Sequence, residues 1–226
     1  MIEYKFTFAD GDSWQYSLDE TCGLPQQDSD DNASGWMQLK NQRCDVCTLD
    51  HDQKLCPAAQ AIAPAVSTFA ARISHEKVHM QVKLRGLDIH ANVQAQEALR
   101  SLIGLLLPLS DCPVMRQLRP MAHFHEPLSG PEQTVFRVFG MYLVKQFLHS
   151  RDGAKADWKL DGLLKLYEQI HEVNVKLAER LRQVSSADAN INGVTLLDVL
   201  AYAVDFGFDR SEKQLRGLFA QDKPLR

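Results

Sequence analysis

The sequence predicts an α+β protein: a small antiparallel sheet of two hairpins packed with helices, followed by a mainly helical C-terminal half. Residues 2–8 and 14–18 alternate apolar and polar side chains, and residues 78–85 and 89–93 do so again. Period-two alternation marks strands with one buried face. Helical apolar spacing follows each strand pair, and from Ser129 onward it is the only pattern. Two one-sided hairpins bury most surface by joining into one sheet covered by helices.

In the first hairpin Ile2, Tyr4, Phe6 and Phe8 share a face, and Glu3, Lys5 and Thr7 share the other. "ADGD" carries the Asp-Gly turn signal, and Trp14, Tyr16 and Leu18 resume the alternation. Residues 20–35 are polar, acidic and rich in turn formers, which predicts a loop. A cysteine-rich stretch follows, then an alanine-rich helix over residues 57–73, bent at Pro64. Val78, Met80, Val82 and Leu84 form the apolar face of the third strand, "GLD" turns the chain, and Ile89, Ala91 and Val93 form its partner. A second helix spans residues 94–107.

Ser129 stands three residues before Glu132, a capping-box spacing, with Pro131 in the first turn. The helix from there to residue 149 is apolar around most of its girth, which predicts a central, buried helix. A longer helix over residues 158–184 carries the stripe Leu163, Leu166, Tyr167, Ile170, Val173, Leu177, Leu181 and Val184. Such stripes pack into a core; a homodimer seam is the alternative. "SSADANING" breaks the pattern, Thr195 and Asp198 open a helix to residue 206, and Ser211 with Gln214 opens a short last one. The chain divides into an α+β domain with a cysteine-rich metal-site loop at 1–126 and a helical region at 127–226, separate or packed with the first as one unit.

The chain of 226 residues carries net charge −4 with a pI near 6.1. That balance gives no electrostatic reason to expect nucleic acid, which demands a clustered basic surface. The N-terminus lacks a basic region followed by an apolar run, so it does not read as a secretion signal. The longest apolar run, residues 102–109, falls far short of the roughly 20 residues that span a bilayer. The expectation is a cytoplasmic protein with no membrane segment. In a reducing compartment its five cysteines are thiols or metal ligands rather than disulfides.

"RCDVCTLDHDQKLCPAA" places Cys44, Cys47 and Cys56 within thirteen positions, and Cys112 stands in "SDCPVMRQLRP". A Cys-x-x-Cys pair lets two sulfurs reach one ion, and four thiolates make a closed tetrahedral zinc site. Cys56 and Cys112 both precede proline and a helical turn. Free backbone N–H groups and the helix dipole there favour the thiolate. Arg43, Lys54, Arg116 and Arg119 are near in sequence and could offset the charge of four sulfurs. The bland alternative is four unliganded thiols. An iron–sulfur cluster would use the same ligands. Cys22, in the acidic loop, reads as a bystander.

His123 and His125 in "RPMAHFHEP" would face the same way in an extended segment, beside Glu126, and could serve a catalytic metal. In a structural variant, His123 or His51 replaces one cysteine. Arg116 and Arg119 are expected to pair with Asp111 and Glu126. The polar face carrying His79, Gln81, Lys83, Arg85, His90 and Asn92 reads as solvated. No nucleophile elbow, Walker-type loop or dinucleotide glycine motif is present in the sequence.

"NQRCDVCTL", "CPAAQAI" and "SDCPVMRQLRPMAHFHEP" resemble segments of an uncharacterised bacterial family, over roughly residues 1 to 150. The resemblance implies a bacterial origin and weight on the Cys-Pro segments, and no activity. The leading expectation is a zinc-stabilised binding or regulatory module with an unknown protein partner. The alternatives are an iron–sulfur protein for redox sensing or electron transfer, and a metalloenzyme using His123 and His125.

Overall fold

The computed structural model describes residues 1–19, 24, 35–205 and 216–217. Cys22, Ser211 and Gln214 lie outside the described residues. The strands are β1 (Ile2–Phe8), β2 (Ser13–Leu18), β3 (Lys77–Leu84) and β4 (Leu87–Gln94). The helices are α1 (Pro57–Phe69), α2 (Ala95–Leu109), α3 (Arg119–His123), α4 (Pro131–Arg151), α5 (Asp161–Leu181) and α6 (Ala189–Asp205). Two 3-10 turns, Gly35–Met37 and Met115–Leu118, flank the site described below.

Both hairpins join one antiparallel sheet in the order β2-β1-β3-β4. Tyr4 faces Val82 and Phe6 faces Met80 across the β1–β3 seam, so the two apolar faces coincide. Those faces are buried, and Phe6 and Phe8 meet Phe69 of α1 edge-on. Arg85 and Gly86, at φ of 47° and 79°, form the tight turn between β3 and β4, one residue ahead of the expected "GLD". Positive φ at both central positions matches the twist of the flanking strands. The opposite face is solvated as its polarity predicts; His79 bonds Asn92 at 2.9 Å, and His90 pairs with Asp88 at 3.1 Å.

α2 crosses the sheet with an almost fully buried apolar surface and continues through Pro108. α6 packs against both α2 and α5, and one apolar core includes residues from Ile2 to Val204. Among the described residues, no helix is long and apolar enough to cross a membrane.

Three expectations are corrected. Ser129 does not cap α4; Gly130 does, its N–H donating to the Gln133 side chain at 2.9 Å, while the Ser129 hydroxyl donates to the Glu126 carbonyl. Nor is α4 central. Val135, Val138, Phe139 and Tyr142 are buried, but Phe136, Val144, Phe147 and Leu148 are half exposed or more. α2 already covers the sheet, so α4 packs at the edge with one face inward. Finally, "SSADANING" breaks the pattern only in its first half: α5 ends at Leu181, and α6 begins at Ala189, ahead of Thr195, and runs through Gly193. A Cβ on Gly193 would stand 3.1 Å from a Leu99 carbon, so the glycine permits close α6–α2 approach rather than breaking a helix. Thr195 sits mid-helix, its hydroxyl donating to the Ile191 carbonyl at 2.8 Å.

Candidate metal centre

The cysteine segment folds as a short closed loop. Gln38 and Leu55 form an antiparallel bridge, the Leu39 N–H bonds the Lys54 carbonyl, and the Cys56 N–H bonds the Met37 carbonyl at 2.8 Å. Within it, the Cys47 N–H reaches the Cys44 carbonyl at 3.1 Å, a tight turn that turns both side chains of the pair toward one side. Cys56 is the N-cap of α1, as the Cys-Pro pattern predicts. Cys112 lies just before the second 3-10 turn, and its carbonyl accepts from the Arg116 N–H at 3.0 Å.

Cys44, Cys47, Cys56 and Cys112 line one cavity of about 20 Å³, closed on its far side by Val173, Lys176, Leu177 and Arg180 of α5. Cysteines from two distant parts of the chain therefore border one cavity. The volume holds about one water-sized body. Cys112 is buried and the other three are half-buried. Burial pushes the Cys44 thiol up to about 12, reinforced by Cys56, Cys112 and the Glu172 carboxylate. Cys112 is also raised, chiefly by burial, although the Met115 and Val114 amides pull it back. The amides act in the expected direction, but desolvation outweighs them. Cys44 and Cys112 thus stand as neutral thiols. Among the described residues, no group of three or more His, Cys, Asp or Glu stands in an arrangement that could hold a metal ion. The four cysteines share a cavity without forming a closed ligand set.

The loop is held by α5, which the sequence reading did not single out for this role. Arg180, 1% exposed, donates to the carbonyls of Trp36 (2.8 Å), Gln38 (2.7 Å), Leu39 (3.3 Å) and Gln42 (3.3 Å). Glu172 accepts from the Asp45 and Val46 amides inside the Cys-x-x-Cys turn. One helix thereby grips both ends of the 36–46 segment, one through a cation on carbonyls, the other through an anion on amides. Of the basic residues near in sequence, Arg43 donates to the Cys47 and Leu49 carbonyls and orders the turn. Arg116 is exposed, and Arg119 pairs with Asp111 at 3.7 Å. Glu126 pairs instead with Arg137, at 4.0 Å. The cations lining the cysteine cavity are Lys176 and Arg180.

The structure does not bring His123 and His125 together. Residues 119–123 are helical and not extended, so the two rings diverge. His123 is exposed, edge-on to Phe124 at 4.8 Å. His125 is buried, its Nε2 2.5 Å from the Tyr4 hydroxyl, which in turn lies 2.9 Å from the Ser101 hydroxyl. Burial, with Arg137 and Arg85 nearby, holds His125 down to about 3, a neutral imidazole. Neither histidine lines the cysteine cavity, and nor does His51, which meets Arg43 at 3.4 Å.

No curated protein and no solved structure matches the chain. The family model described as "Domain of unknown function (DUF6901)" matches residues 2–220. The chain therefore belongs to that uncharacterised family, which the match extends well past the cysteine segments into the helical half.

Proposed function

We propose that Cys44, Cys47, Cys56 and Cys112 bind one zinc ion in a structural role, and that the protein acts as a zinc-stapled module that binds a protein partner. The observation that supports the reading is the shared cavity, lined by two cysteines from a tight turn, one at the N-cap of α1 and one just before the second 3-10 turn. Four soft donors with Lys176 and Arg180 alongside suit a divalent thiophilic ion and offset the net negative charge of four thiolates. Ligation is coupled to release of the thiol protons and to rotation of the thiols into a tetrahedron, with sulfur about 2.3 Å from the metal. Such an ion would fasten the 38–56 loop to α1 and to the Cys112 turn. Four protein donors fill the tetrahedron and leave no open position, which fits stabilisation better than chemistry at the metal.

Elemental analysis of anaerobically purified protein is the test. The expected result is about one zinc per chain, lost in Cys56→Ser and in Cys112→Ser. Full metal content in either variant refutes four-cysteine ligation. A brown protein containing iron and sulfide would replace zinc with a cluster on the same ligands.

A further inference from the structure

A second cavity, separate from the cysteines, lies between α2, α5 and α6. It measures about 130 Å³ and is partly open. For scale, an engineered apolar cavity of about 150 Å³ accepts benzene. Leu107, Met115 and Leu197 are among its apolar walls. Its lining also includes Ser101, His125, Glu126, Ser129, Thr134 and Arg137, together with three further polar groups.

The first is Asn174, 2% exposed, whose Oδ1 accepts no hydrogen bond from a described residue. Its amide orientation is set by Asp198: the nitrogen faces that carboxylate at 3.4 Å, which leaves the oxygen as the orphan. A buried acceptor with no donor costs about 1–3 kcal/mol. The second is Tyr167, 5% exposed, whose hydroxyl makes no hydrogen bond to a described residue. The third is Arg100, half-buried, whose guanidinium makes one hydrogen bond among the described residues, to the Ser129 carbonyl at 3.1 Å. Among the described residues no carboxylate lies within 4 Å of Arg100; Glu126, on the cavity rim, is turned to Arg137 at 4.0 Å. Five donors with one in use, next to an apolar chamber, suit a planar anion able to accept two of them.

We infer that this cavity binds a small aromatic or branched-chain carboxylic acid bearing a hydroxyl: the carboxylate meets Arg100, the apolar body fills the chamber, and the hydroxyl donates to Asn174 Oδ1. The inference stands apart from the zinc reading, because no cysteine lines this cavity.

The probe is 3-fluoro-4-hydroxybenzoate, followed by fluorine NMR against the whole protein, beside 2-fluoro-4-methylphenol, which lacks the carboxylate. The parent should shift the acid's resonance saturably and bind the phenol at least about tenfold more weakly, the value of one charge-assisted contact. Arg100→Met should bring the acid down to the phenol's affinity. The inference is overturned if the acid shows no saturable shift at millimolar concentration, if both probes bind alike, or if folded Arg100→Met binds the acid as the parent does. Should Arg100→Met fail to fold, the two-probe comparison on the parent decides alone.

Discussion

Arg180→Met removes the grip of α5 on the cysteine loop while keeping a similar apolar stem. Four carbonyls converge on this guanidinium, two at 2.7–2.8 Å and two at 3.3 Å. A hydrogen bond to a charged donor contributes roughly 1.5–3 kcal/mol, and each carbonyl left buried and unpaired costs about 1–3 kcal/mol. The two short bonds dominate, and Met recovers some apolar burial, so the expected loss is about 3–5 kcal/mol. Urea unfolding in the presence of a chelator isolates this loss from any metal contribution. Trp36 is a local reporter, because it is 6% exposed and its own carbonyl is an acceptor. Its fluorescence should report an earlier midpoint, and limited proteolysis should cut within residues 38–56. Arg180→Lys should recover only part, since an ammonium cannot reach four spread acceptors as a planar fork does. A loss below about 1 kcal/mol with an unchanged cleavage pattern would refute the claim that Arg180 organises the loop.

Acid should destabilise the protein through His125. In the unfolded chain its imidazole ionises near 6.5, whereas burial holds the folded one down to about 3. The unfolded state takes the proton first, so stability is intact above about pH 6.5 and falls below it, by up to about 1.4 kcal/mol per pH unit. His125→Gln should flatten that slope between pH 6 and pH 4 in denaturation series. Tyr4→Phe deletes the hydroxyl shared by Ser101 and His125, and should cost about 1–2 kcal/mol in urea unfolding. Gly193→Ala should destabilise by about 1 kcal/mol despite alanine's better helix propensity, because fully buried Leu99 stands 3.1 Å from the new carbon. Gly104→Ala, with its nearest neighbour at 3.4 Å, should be near neutral or stabilising in the same assay.

The sheet was legible because both strand pairs obey a period of two on a single face, and each pair of neighbours agrees on which face is buried. The meeting of Cys112 with the 44–56 segment was legible in part, through the repeated Cys-Pro pattern at helix starts. What misled was girth and punctuation. An apolar surface all round predicts a buried helix only when enough partners exist to cover it, and Phe136, Val144, Phe147 and Leu148 of α4 stay exposed. "NING" reads as a breaker locally, yet Asn190 is fully buried and donates to the Val66 carbonyl at 3.0 Å, so tertiary contact overrode propensity. The two histidines diverged because Pro120 starts a helical turn where an extended segment was expected.

Least legible was the work of α5. Its stripe identifies a buried helix, but a stripe does not say that one face serves two cavities. Val173, Lys176, Leu177 and Arg180 border the cysteines, while Tyr167, Ile170 and Asn174 border the apolar chamber. Arginine near a helix C-terminus is ordinarily read as a dipole partner or a solvated end. Here the chain places 36–42 against that end, and its carbonyls supply the acceptors that a carboxylate would otherwise supply. A cation satisfied by neutral dipoles keeps its full positive charge beside the thiols, whereas an Arg–carboxylate pair would present them with none. Under the zinc proposal, that charge would favour the thiolate form of the cavity's cysteines, and it depends on contacts some 140 residues apart in the chain.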